Sequence, residues 1–163
     1  MTAQEAGPPG TLESLLDRQE ITDRICDLAL GLDLRDFQRY RRCFADEVAV
    51  SNPRFSAAAT VLSRTGDDWA GSVYRTQSQL DYSLHALTSP AIALRGDEAD
   101  VTVIQQARFG LDGDSYCVGG PLRLRFIRTR AGWRIGRLDF TVTWSEGSSS
   151  VYERARKAAG VTP

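Results

Sequence analysis

The chain has 163 residues, 42% of them hydrophobic, which is enough apolar surface for one domain with a sizeable core and an internal pocket. Its 20 basic residues nearly cancel 21 acidic ones, so no global field draws it to nucleic acid or to an anionic membrane, and small neutral partners are the default. Cys26, Cys43 and Cys117 are widely spaced and match neither a zinc nor a disulfide pattern, and no signal peptide or membrane-length apolar run is visible, so a reduced, cytoplasmic protein is expected.

Residues 1–11 hold Gly7, Pro8, Pro9 and Gly10 among polar neighbours and read as a disordered N-terminal arm. The domain is expected over residues 12–147. Ile21, Ile25, Leu28 and Leu32 recur at helical spacing and predict an amphipathic helix ending near Leu34, after which Asp36 caps a short second helix carrying Phe37, Tyr40, Cys43 and Phe44. Val48 and Val50 alternate in a short strand that stops at Asn52-Pro53, and Asp67 or Asp68 caps a third helix over Trp69 to Tyr82. The segment from Arg54 to Thr65 supports no assignment.

From Ser83 onward the chain turns β-rich, with runs over Ser83–Leu94, Ala99–Leu111, Ser115–Thr129 and Trp133–Trp144. The links at Arg95–Glu98, Asp112–Asp114 and Arg130–Gly132 each contain a glycine able to take positive φ, so consecutive strands are expected to run antiparallel. Gly119-Gly120-Pro121 predicts a bulge that bends the sheet around a cavity. Residues 148–163 read as a C-terminal extension, a frayed helix or a surface segment.

Helices first and long strands afterwards make an α+β pattern, and local strings sharpen it. LDLRDFQRYRRCFADEVAV, HALTSPAIALRGDEA, Gly119-Gly120, Arg128-Thr129 and Gly132-Trp133-Arg134-Ile135 occur in that order. Together they resemble the SnoaL-like branch of the nuclear transport factor 2 superfamily, over roughly Leu12 to Gly147. The resemblance implies a cone-shaped, curved, antiparallel-rich sheet wrapped by N-terminal helices around a deep apolar pocket, often in a homodimer packed sheet to sheet. Catalytic members include scytalone dehydratase, bile acid dehydratases, ketosteroid isomerase and polyketide cyclases, and other members only bind.

In the dehydratases of this branch a carboxylate at the LD station meets a histidine on the following long strand. The matching residues here are Asp33 and His85, the latter being the one histidine of the chain. From the residues alone Asp33 either ends the first helix or enters the pocket, and His85 is either a strand histidine or a pocket-facing acid–base group on the same face as Leu87. The family's tyrosine near the LD station is replaced by Leu28 and Leu32, and Ala107-Arg108-Phe109 lacks the family's second histidine.

Tyr40, Trp69, Tyr74, Phe109, Tyr116 and Trp144 are the candidate substrate-binding aromatics, with Gln105, Arg108, Asp139 and Thr141 as polar handles. No phosphate-binding loop, nucleophile elbow or metal-ligand cluster is present as a motif, so no cofactor is implied. The expected function is cofactor-independent acid–base chemistry by Asp33 and His85, as a dehydratase, isomerase or cyclase, on a bulky hydrophobic small molecule of polyketide-like or terpenoid-like kind. The alternative is a noncatalytic binder or dimeric interaction protein of the same fold.

Overall fold

The computed structural model describes residues 10–51 and 61–161, so most of the expected N-terminal arm and the Asn52-Pro53 break lie outside the described residues. Helix α1 (Leu12–Asp33) starts where the Thr11 hydroxyl accepts the Ser14 N–H at 3.1 Å, satisfying one of the donors left free at a helix start. Its predicted stripe of Ile21, Ile25, Leu28 and Leu32 is buried. The helix stops at Arg35, whose φ of 57° breaks the helical path, and Asp36 caps α2 (Phe37–Arg41) by accepting the Arg39 N–H, as expected.

Strand β1 (Phe44–Ser51) pairs with β2 (Leu62–Thr65), which leads into α3 (Gly66–Gln77). The cap of α3 is Thr65, whose hydroxyl accepts the Asp68 N–H, and not Asp67 or Asp68; those carboxylates sit in the first turn against the positive end of the helix dipole. The helix begins and ends earlier than expected, because the chain turns through Ser78–Leu80 to enter the sheet.

Strands β3 (Tyr82–Arg95), β4 (Glu98–Leu111), β5 (Asp114–Thr129) and β6 (Gly132–Phe140) form a meander through the three predicted turns. Asp112 and Gly113 both take positive φ, the geometry of the tightest hairpin turn. The sheet runs β2-β1-β6-β5-β4-β3, with β1 parallel to β6, so it is curved, mixed and unclosed.

Gly119-Gly120-Pro121 does not bulge, since the ladder to β4 runs unbroken from Tyr116 to Pro121. There β5 instead changes partners on its other edge: β7 (Trp144–Gly147) pairs with Tyr116 to Gly119, and β6 pairs from Leu122 onward. The glycines make room for this handover. A Cβ on Gly120 would lie 2.0 Å from the Thr141 carbonyl oxygen, and one on Gly119 would enter the Trp144 ring. Register shifts occur elsewhere, between Thr88 and Ala91 and between Arg125 and Phe126.

Two carboxylates anchor α1 across the hairpin of β5 and β6. Asp17 accepts two bonds from Arg128 and one from the Trp133 indole, while Glu20 accepts the Trp133 backbone N–H at 3.0 Å. The fully buried Trp133, Phe44, Phe109 and Phe126 fill the core beneath. The last element, α4 (Ser150–Ala158), buries Val151, Tyr152 and Ala155 against that same core.

Candidate functional site

Between the helices and the concave side of the sheet lies a cavity with about 500 Å³ of free space, its open mouth included. Leu28, Ala29 and Leu32 of α1, Tyr40 of α2, and Trp69 and Val73 of α3 form one wall. Leu87, Leu122, Leu138 and Phe140 of the sheet form the other, and Tyr152 of α4 closes part of it. Alternation explains the sheet side: Leu138 and Phe140 face inward while Arg137 and Asp139 pair with each other on the outside. His85, Gln77 and Gln105 are the residues with polar side chains, other than aromatics, in this lining.

The last turn of α1 brings Asp33 to the start of β3. One carboxylate oxygen, Oδ2, accepts the backbone N–H of His85 at 2.6 Å. The other, Oδ1, accepts the Ser83 hydroxyl at 3.0 Å and lies 2.7 Å from His85 Nδ1. Burial pushes the Asp33 carboxyl up, but the His85 bonds, the His85 charge and the Ser83 hydroxyl outweigh it and hold the group below the ordinary carboxylate range. An ionised carboxylate only accepts, so in this pair Nδ1 carries the hydrogen, and in the neutral ring Nε2 is left with the lone pair. His85 lines the cavity, Asp33 stands behind it, and the imidazole packs edge-on to Phe109 with centroids 5.5 Å apart.

A further layer holds this arrangement. The Arg35 guanidinium donates to Ser83 Oγ and to the carbonyls of Leu32 and Leu80, and the Tyr74 hydroxyl donates to the Arg35 carbonyl at 2.7 Å. The turn after α1 is therefore tied to β3 through Ser83, to the turn before it through Leu80, and to α3 through Tyr74. Among the described residues no three His, Cys, Asp or Glu side chains gather as metal ligands, and no helix is long and apolar enough to cross a membrane.

The sequence pattern of the SnoaL-like domain matches residues 13–139, most of the chain. The chain belongs to the SnoaL-like domain family. Among solved structures, this SnoaL-like chain is similar to the Kfla4162 protein from Kribbella flavida, at 22% identity and TM-score 0.77, covering 88% of this chain and 99% of that one. It is also similar to a candidate scytalone dehydratase from Novosphingobium aromaticivorans DSM 12444, at 15% identity and TM-score 0.71, over 83% and 89% of the two chains. A third likeness is to the hexachlorocyclohexane dehydrochlorinase LinA-type3 from Novosphingobium barchaimii LL02, at 14% identity and TM-score 0.71, over 86% and 95%. At these identities the likenesses speak for the fold alone. Comparison with curated proteins gives no match.

Of the aromatics expected in the site of this SnoaL-like chain, Tyr40 and Trp69 line the cavity. Tyr74 sits outside the lining, edge-on to Phe37 and bonded to Arg35. Phe109 and Tyr116 stack on each other in the layer behind His85. Trp144 is 43% exposed on β7, over Gly119 and away from the cavity, because the chain leaves β6 before reaching it. Arg108 and Thr141 are exposed, whereas Gln105 faces inward. Ser83, Arg35, Gln77 and Tyr152 stand at or around the site without having been expected there. Ser83 was detectable as the residue two before His85 on the same strand face.

Proposed function

We propose that this chain is a cofactor-independent acid–base enzyme, a dehydratase, isomerase or cyclase, acting on a bulky hydrophobic small molecule of polyketide-like or terpenoid-like kind. The observation that carries the reading is the contact of His85 Nδ1 with Asp33 at the wall of an apolar cavity. Asp33 fixes the tautomer and stabilises the imidazolium, so His85 Nε2 takes a proton from a bound substrate and returns it to a leaving or rearranging group. Tyr40 and Trp69 supply flat apolar walls for the substrate. The catalytic roles of Asp33 and His85 rest on this geometry and on the family to which the chain belongs.

The protein is further proposed to work as a homodimer in the cytoplasm. The outer face of β3 and β4 carries exposed Leu84 and Ile104, suited to packing sheet against sheet, and the three cysteines are free. A second reading, a noncatalytic binder of the same fold, draws on Leu28 and Leu32 where relatives have a tyrosine and on Ala107-Arg108-Phe109 where they have a second histidine.

The test is untargeted mass spectrometry of a hydrophobic metabolite extract incubated with wild type, Asp33→Asn and His85→Gln. The enzyme reading expects loss of water or isomerisation of a metabolite with wild type, slowed about 10²–10⁴-fold by His85→Gln. Unchanged turnover in both variants removes the pair from the mechanism, and tight retention of a metabolite without conversion favours the binder.

A further inference from the structure

The cavity is apolar except at a few places, and two of those are carboxamides without a side-chain hydrogen bond among the described residues. Gln77, in the last turn of α3, is 2% exposed and its Oε1 is sealed from solvent without a hydrogen-bond partner. Gln105, on β4, is 7% exposed and lines the same cavity. No hydrogen bond holds either side-chain amide among the described residues.

Buried polar groups are nearly always paired, and an orphan costs the fold its full desolvation penalty. A leucine or methionine in place of Gln77 would fill the volume without that cost. Their position matters too. In the ladder Gln105 faces Leu87 while Ala107 faces His85, so Gln105 is the diagonal neighbour of His85 on the cavity wall, at about 7–8 Å between backbones. One amide therefore stands beside the proposed acid–base group and the other on a separate helix wall.

Resting on the reading of His85 given above, we infer that Gln105 and Gln77 are specificity-determining residues that select an oxygenated hydrophobic ligand. It carries a carbonyl or hydroxyl near the carbon or oxygen that meets His85, held by Gln105, and a second hydroxyl or carbonyl held by Gln77. A hydrocarbon or a halocarbon of the same shape leaves both amides unpaired and is rejected, since a site built to hydrogen-bond an oxygen discriminates strongly against the analogue lacking it. Water resident on the amides does not alter this, because a ligand that displaces it without replacing its bonds loses affinity.

The test is an NMR titration of the full chain with indane, chloroindane, indanone and hydroxyindanone. Wild type is expected to rank hydroxyindanone over indanone over the other two, by about tenfold or more from end to end. The Gln77→Leu/Gln105→Leu variant is expected to flatten that series, weakening hydroxyindanone and strengthening indane, and Gln77→Met/Gln105→Met serves if the leucine variant does not fold. Equal affinities across the series in wild type, an unchanged ranking in the double variant, or no binding of hydroxyindanone overturns the inference. His85→Gln in the same titration separates the two readings: the ranking judges the amides, while the metabolite conversion described above judges the imidazole.

Discussion

Asp33 links the stability of this protein to the chemistry proposed for it. Its carboxyl titrates lower in the folded chain than in the unfolded one, so the stabilisation it brings is present above about pH 4 and fades as the pH falls through the folded-state value. Asp33→Asn is expected to cost about 2 kcal/mol at neutral pH, from bonds to a charged acceptor, and progressively less in acid. Urea titrations across pH check this, and a cost independent of pH contradicts it. Cys43 behaves oppositely: burial, helped by the negative charge of Asp27, pushes its thiol up to about 12, and it lies within reach of the Arg24 and Arg39 carbonyls. Iodoacetamide is therefore expected to label exposed Cys26 in the native protein and to spare Cys43 until unfolding, read by peptide mass spectrometry. The meeting of Asp33 with His85 was legible in the sequence because a motif with fixed spacing surrounds each of them. The aromatics were less so, since a tyrosine or phenylalanine in a strand suits the cavity wall and the layer behind it equally well, and only packing separates Tyr40 from Tyr116. Gln77 left no trace, because a polar residue in the last turn of a helix ordinarily faces water.

Elements were legible where period and turn chemistry agree. Alternation and a turn glycine placed both ends of β3, β4 and β5 and the start of β6 within a residue of those observed, and the Asp36 cap placed α2, whereas the run expected to continue to Trp144 leaves β6 at Phe140. What failed was the meaning of Gly119-Gly120-Pro121, because the same residues that permit a bulge also permit a neighbouring strand to cross closely, and local sequence does not report the neighbour. The handover predicts an asymmetry between glycines. Gly120→Ala drives its Cβ against backbone, the Thr141 carbonyl, and is expected to cost about 2–3 kcal/mol. Gly136→Ala, whose Cβ would meet Ile127 at an ordinary 3.6 Å, is expected to change stability by less than about 0.5 kcal/mol. Chemical denaturation of both variants decides it, and equal costs would speak against the handover as the reason for Gly120.

At the scale of the whole molecule, the cavity depends on segments from both ends of the chain. The tail reads as an extension because its apolar residues are few, yet Val151, Tyr152 and Ala155 are buried and Tyr152 joins the cavity wall. Deleting residues 148–163 is expected to lower the melting temperature by about 10 °C, the scale of losing a buried aromatic and its neighbours. An unchanged melting temperature, measured by calorimetry, would return the tail to the surface. The chain also holds a single histidine, so its imidazole gives an unmixed spectroscopic signal, and the proposed site can be tested without knowing the substrate. Long-range proton–nitrogen NMR of histidine-labelled protein at about pH 9, where a free imidazole is neutral, reports which ring nitrogen carries the hydrogen. The account predicts the Nδ1–H form in wild type, with Nε2 unprotonated at the cavity, and its loss in Asp33→Asn. An Nε2–H ring in wild type, or a tautomer indifferent to Asp33, would contradict it.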